Sequence, residues 1–188
     1  MAGPLLFIVD FAVLVFALFC LLRFLLHLAG ANFYSPIVNS IMRITDPVLQ
    51  PIRKMLPVSQ RLDLASLLAT LVLETISVCI RVMHAGIVDI FPLWAYVWNG
   101  AISAVQMAIW VYLVAILASV IMSWVAPNVY SPLAEIAKQL ADPFLAPIRK
   151  FLPPMAGFDF SPMLGMLVLL MANSYIIPLI RFTPQLAT

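Results

Sequence analysis

The chain has 188 residues, 64% of them hydrophobic and 10% charged, with a mean hydropathy of +1.10. A water-soluble domain carries roughly 25% charged residues, so this composition excludes one and places the chain in a bilayer. A net charge of +2 makes no case for a nucleic-acid partner.

Taken in order, residues 5–29 form a first apolar run, about as long as the roughly 20 residues that cross the hydrocarbon. Met1-Ala2-Gly3 is not a basic leader and the run is too long for a signal sequence. The expectation is a first span that stays. It carries Asp10, Arg23 and His27. Residues 62–83 make a second span, with Asp63 as its N-cap. The segment up to Gly100 contains Pro92, Trp94, Tyr96, Trp98 and Asn99, and reads as an interfacial aromatic connector. Residues 101–126 make a third span. Residues 162–181 make a fourth, with Ser161 as cap and Pro162 at the first helical position. Cys20 and Cys79 lie inside apolar runs and read as buried filler. Two histidines far apart in sequence make no metal centre, and no cofactor motif is present.

Between the spans of each half lies a repeated segment. Asn32–Asp63 and Asn128–Asp159 share 14 of 32 residues at a constant offset of 96. Self-similarity at fixed spacing is the mark of duplication. The organisation is therefore repeat one over 1–84, a connector over 85–100 and repeat two over 101–188. Each repeat is span, loop, span, so the repeats run parallel about an axis along the membrane normal. Seven of the ten basic residues fall in the two loops: Arg43, Arg53, Lys54, Arg61, Lys138, Arg149 and Lys150. The positive-inside rule puts both loops in the cytoplasm and both termini outside.

Inside each loop, Ser35-Pro36 and Ser131-Pro132 look like a cap followed by proline at the first helical position. Leu133, Ile136, Ala137 and Leu140 then share one face, and Ile37, Val38, Ile41 and Ile44 form the matching face. Asp46-Pro47 and Asp142-Pro143 read as a second cap. Pro51 and Pro147, four residues on, predict an elbow between two short turns. Arg53-Lys54 and Arg149-Lys150 fall on the polar side. Such a helix lies in the interface against anionic headgroups. Either it is a rigid platform resting on lipid, or it presents a docking face for a partner.

These residues resemble the YggT family of bacterial integral membrane proteins. The similarity rests on Asp142-Pro143, Pro147-Ile148-Arg149-Lys150, Leu152-Pro153 and Gly157-Phe158-Asp159-Phe160-Ser161-Pro162. The first copy departs from the pattern at its end, reading Arg61-Leu62-Asp63-Leu64-Ala65-Ser66. The resemblance covers nearly the whole chain. It implies a four-span, two-repeat protein of the inner membrane. It implies links to cell division, to assembly or maturation of membrane complexes, or to osmotic stress and ion balance, with no settled enzymatic activity.

Glu74 lies near the middle of the second span, where an ionisable group marks a functional site by default. Arg81 follows on the same face. Arg23 sits nearer the loops, placed either to snorkel toward headgroups or to approach Glu74 from a neighbouring helix. The functional reading is a proton- or cation-coupled site. The structural reading is an ion pair or a hydrogen-bonded carboxylic acid. Ser103, Gln106, Ser119, Asn173 and Ser174 are assigned to packing between helices.

The expected fold is all-α, with four transmembrane helices in two tandem parallel repeats, each carrying an amphipathic interfacial loop. The expected function is a non-enzymatic scaffold or assembly factor. It acts through Asp46, Pro47, Pro51, Arg53, Lys54, Asp142, Pro143, Pro147, Arg149, Lys150 and Asp159. The expected partners are anionic lipid headgroups, another membrane or cell-division protein, or a second copy of the chain. The alternative is a component of ion or solute transport in the osmotic or potassium response, built on Arg23, Glu74 and Arg81.

Overall fold

The computed structural model describes residues 3–32, 34–55, 62–86, 92–125, 131–152 and 159–182. These residues are helical with short links and contain no strand. Helix α1 spans Gly3–Leu28, α2 Pro36–Met55, α3 Leu64–Ala85, α4 Leu93–Val125, α5 Pro132–Phe151 and α6 Ser161–Ile180. Of these, α1, α3, α4 and α6 are long and apolar enough to cross a membrane. The chain is a multi-pass membrane protein.

The spans pack in the order α1, α3, α4, α6, with α2 and α5 applied to one end of the bundle. The α3–α4 crossing is set by Gly100. A Cβ there would come within 2.3 Å of Thr75 Oγ1 and 2.9 Å of the Thr75 backbone. Spans in lipid gain little from apolar burial alone, so this close approach of backbones is what makes the contact. Helix α3 ends at Gly86, whose φ of 72° lets its amide turn back onto the Met83 carbonyl.

The two amphipathic helices bury their apolar stripes in protein. Val38 and Ile41 of α2 and Ile136 and Leu140 of α5 share one core with Leu21, Leu25 and Leu26 of α1. Leu49 packs with Cys20, Ala65 and Ala69, while Leu145 packs with α4 and Leu169 of α6. The matched residue of Ala69 is Gly165, and a Cβ there would meet Leu145 at 2.8 Å. The same seat is therefore made of small residues in both halves.

Three local expectations are corrected. First, α2 and α5 have no elbow and no second cap: each is one helix of 20 residues with Pro47 and Pro51, or Pro143 and Pro147, inside it. All four prolines face outward. There the carbonyls left without an amide donor remain open to polar surroundings, so the usual cost of an interior proline is reduced. Second, the connector is not a separate element from Leu93 onward. Helix α4 is 33 residues long, about 50 Å at 1.5 Å per residue, against a hydrocarbon core of roughly 30 Å. Its first turns, which carry the exposed Trp94 and Trp98, are length beyond what the hydrocarbon needs. Third, Ser161 is not the cap of α6. Asp159 accepts the Ser161 amide at 2.9 Å instead. Asp63 accepts the Ser66 amide at 3.4 Å, as a cap does. Ser131 makes no capping bond, and the Ser35 hydroxyl is buried without a partner among the described residues.

Within α6, residues Ala172–Ile176 form a π turn. Pro178 has no amide to return to the Ser174 carbonyl, and the wider turn absorbs that loss. The far end of α6 is clasped by the start of α4. Trp98 donates to the Ile180 carbonyl at 2.9 Å. Asn99 donates to the Phe182 carbonyl at 2.9 Å and accepts the Phe182 amide at 3.1 Å. Orphan groups at a helix terminus are thus paired inside the molecule.

Candidate functional site

The repeated motif folds into a charge clamp with an outer face. In the second half, Arg149 pairs with Asp142 at 2.8 Å through Nη1 and with Asp159 at 3.0 Å through Nε. Asp142 lies seven residues earlier, two turns back on the same side of α5, and Asp159 precedes α6. The guanidinium therefore ties the amphipathic helix to the start of the next span. In the first half, Arg53 faces Asp46 at 3.8 Å and bonds Asp63. The same three positions do the same work, 96 residues apart.

The hydrogen bonds that Arg149 donates to Asp142 and then to Asp159 raise its pKa above the ordinary value. Burial works against ionisation of Asp159, yet the Ser161 and Arg149 hydrogen bonds outweigh it and hold the carboxyl below its usual range. Asp63 behaves alike: burial opposes its charge, and the Arg53 and Ser66 hydrogen bonds win.

The first clamp carries an extra cation. Arg23, 3% exposed, bonds Asp63 at 3.1 Å, Asp46 at 2.8 Å, the Thr45 hydroxyl at 2.6 Å and the Met42 carbonyl at 3.1 Å. It neither snorkels nor approaches Glu74; it joins α1 to α2 and to the start of α3. The reason is depth: five residues from the end of α1, it reaches two carboxylates whose charges need it. Its counterpart in the second half is Ser119, and that of Thr45 is Ala141. The cation and its hydroxyl acceptor are absent together. That correlated difference was the available sequence signal.

What the clamp leaves outside is equally regular. Pro47, Pro51 and Lys54 are exposed at i, i+4 and i+7 on α2, and Pro143, Pro147 and Lys150 repeat the stripe on α5. Neither lysine joins an ion pair among the described residues. The motif thus divides into an inward set (Asp46, Arg53, Asp142, Arg149 and Asp159) and an outward set of prolines and lysines.

A second polar region lies among the spans. Ser77 of α3 donates to Asp10 of α1. The positions 96 residues on, Gln106 of α4 and Asn173 of α6, are bonded at 3.1 Å. Arg181 turns back along α6, its Nη2 donating to Gln106 at 2.8 Å and lying 3.4 Å from the Ser103 hydroxyl. Glu74 is 1% exposed, and its Oε1 accepts no hydrogen bond among the described residues; Arg181 Nε is likewise buried and unused. Glu74, Arg81, Ser103, Gln106 and Arg181 all line one groove of about 810 Å³. Elsewhere its walls are apolar side chains of α1, α4 and α5. Sequence reasoning found Glu74 and Arg81. It missed Asp10 and Arg181, and it placed Ser103 and Gln106 in packing alone. Of those assigned to packing, Ser119 bonds its own helix at the Ile116 carbonyl. No group of metal-binding side chains occurs among the described residues.

Comparison with known proteins places these features. The sequence profile described as CCB3/YggT matches residues 2–83 and 98–180. A Pseudomonas aeruginosa protein described as uncharacterized is 35% identical over 164 residues, covering 87% of this chain and 83% of its own length. The Escherichia coli protein described as uncharacterized protein YggT is 31% identical over 182 residues, covering 94% and 91%. A Vibrio alginolyticus protein described by its position 3′ of proC is 30% identical over 153 residues, covering 81% and 82%. No solved structure matches.

Proposed function

The chain belongs to the CCB3/YggT family, and from that premise we propose that it is a non-enzymatic scaffold or assembly factor of the bacterial cytoplasmic membrane. Its partner is another membrane or cell-division protein, held against the outward stripes of α2 and α5. The observation that carries this is the split of the motif. Arg53 and Arg149 are used internally with their aspartates. Pro47, Pro51 and Lys54, and their counterparts, are exposed, and neither lysine joins an ion pair among the described residues.

Two prolines inside a helix are a large local cost, on the order of 3 kcal/mol each in an ordinary interior. Here the pair occurs in both halves, on the exposed side, beside a lysine. Each proline also leaves the carbonyl four residues earlier without its helical donor: Arg43 and Pro47 in α2, Gln139 and Pro143 in α5. The stripe therefore offers free acceptors, flat apolar rings and one cation, which is a surface for a polypeptide. The basic loop residues favour a cytoplasmic position for it, with both chain ends outside.

A photoreactive residue at Gln50 or Ala146, both exposed beside the stripe, tests this in intact cells. The expected result is a discrete protein adduct from each position. Adducts to lipid alone from both positions would refute the reading.

A second reading, a component of ion or solute transport in the osmotic or potassium response, is favoured by Glu74. A buried carboxylate with an unused oxygen facing a groove is the arrangement such a site needs. Flux in proteoliposomes, lost on Glu74→Gln, would support it; no flux above protein-free vesicles would remove it.

A further inference from the structure

The groove between the two halves runs from the charged end near Arg81 and Arg181 to α5 at the opposite end of the bundle. Along α4 its wall extends from Ser103 to Met122. Those 19 steps at 1.5 Å correspond to about 28 Å, close to the thickness of the hydrocarbon core. The wall is polar only at the end that holds Ser103, Gln106, Glu74 and the two arginines. The rest is Leu18, Trp110, Val114, Ala118, Ile136 and similar side chains. A length of apolar wall with charge at one end has the polarity of a single amphiphile.

The charge at that end selects the amphiphile's head. Two guanidinium groups, Arg81 and Arg181, face one carboxylate, Glu74, across the lining. Asp10 does not line this groove. It takes the Ser77 hydroxyl and shares a separate small pocket with Arg81 and His84. Arg81 is thus shared between two carboxylates, Glu74 and Asp10, whereas Arg181 bonds only the neutral Ser103 and Gln106 among the described residues. Arg181 also keeps a buried Nε–H that nothing among the described residues accepts. A buried donor without an acceptor costs free energy, and a basic recess between spans is a recognised form of headgroup site.

We propose that this groove holds one anionic phospholipid from the leaflet opposite α2 and α5. Its phosphate meets Arg81 and Arg181, and an acyl chain lies along α4 toward α5. The proposal is independent of the docking face, which lies on the outer side of α2 and α5.

The test is native mass spectrometry of the full chain in mild detergent, stripped of lipid. Dioleoylphosphatidylglycerol or dioleoylphosphatidylcholine is then added. The first bound lipid is expected to prefer phosphatidylglycerol. Arg81→Gln with Arg181→Gln should weaken that first site by roughly ten- to thirtyfold and bring it to the phosphatidylcholine level. Ala118→Trp should fill the groove and lose the first lipid of either kind. Arg43→Gln with Lys138→Gln, exposed charges on α2 and α5, should leave it unchanged. Because Arg181 braces α4, Arg81→Gln alone is measured as well; this side chain is exposed and its loss should remove part of the preference with helicity retained. Equal binding of both lipids to the unaltered chain overturns the proposal. So does a preference that follows Arg43 and Lys138. A lipid-free dimer abolished by Ala118→Trp would assign the groove to a second copy and overturn it too.

Discussion

Arg53 and Arg149 stand 96 residues apart and make the same connection, each joining an aspartate of its own amphipathic helix to the aspartate before the following span. The duplicated motif is therefore first a device for setting the angle and depth of α2 and α5 against the bundle. Only the first clamp has Arg23 behind it, so the two are built alike and loaded differently.

That difference predicts unequal sensitivity. Removing Arg23 strands Asp46 and Asp63 beside one remaining cation, and breaking a buried pair costs about 3–5 kcal/mol. Arg53 and Arg149 are 41% and 36% exposed, where an ion pair contributes about 1 kcal/mol or less. Arg23→Gln should unfold in mixed micelles at much lower denaturant than Arg53→Gln or Arg149→Gln. Equal losses would show that burial does not separate the two clamps.

The hydroxyl-to-carboxylate bond of Ser77 and Asp10 stands at positions matched by Asn173 and Gln106. An interhelical bond within a membrane averages about 0.6 kcal/mol. Asp10→Gln combined with Ser77→Asn should therefore stay within about 1 kcal/mol of the unaltered protein. Asp10→Ala should fall below that double variant in the same unfolding assay.

Gly100 permits the α3–α4 crossing. Gly100→Ala puts a methyl into the Thr75 backbone as well as its hydroxyl, and overpacking of this kind costs about 1–3 kcal/mol. Thr75→Ala should not restore stability, because the backbone atoms remain in the way. A full rescue by Thr75→Ala in a thermal scan would place the clash in the side chain alone.

The depressed carboxyls of Asp63 and Asp159 give the acid limb of stability a sign. A group whose folded pKa lies below its unfolded value stabilises the fold above the ordinary aspartate value of about 3.9. That contribution is lost as pH falls through the depressed folded value. The thermal midpoint should be flat from pH 6 to about 4 on this account and fall below it. Asp159→Asn should lower the midpoint at pH 6 and shrink the fall. A fall of unchanged size would mean that Asp159 does not titrate with folding.

Much of the fold was legible in hydropathy. Four apolar runs became four spans, three of them within a few residues because the bilayer imposes their length, while α4 starts eight residues before its run. The Asp63 cap followed from local chemistry. The proline elbow did not, because a proline's effect in a helix depends on which side faces out, and that is decided by packing against α1, α3, α4 and α6. Arg23 was read from its depth in a span, whereas its partners come from two other helices that no local rule connects to it. Trp98 and Asn99 looked interfacial, and their task of closing the end of α6 required knowing that α6 ends beside them. The groove was invisible for the same reason. Glu74 and Arg81 are seven residues apart, but Arg181 joins them from a hundred residues away.

The central claim is that the motif has a structural inside and a functional outside. Crosslinking from a photoreactive residue at Ala146 in a Lys54→Glu, Lys150→Glu chain tests it most directly, with the thermal midpoint taken on the same preparation. The account predicts an unchanged midpoint and loss of the protein adduct. An adduct of undiminished yield, or a chain that no longer folds, would contradict it.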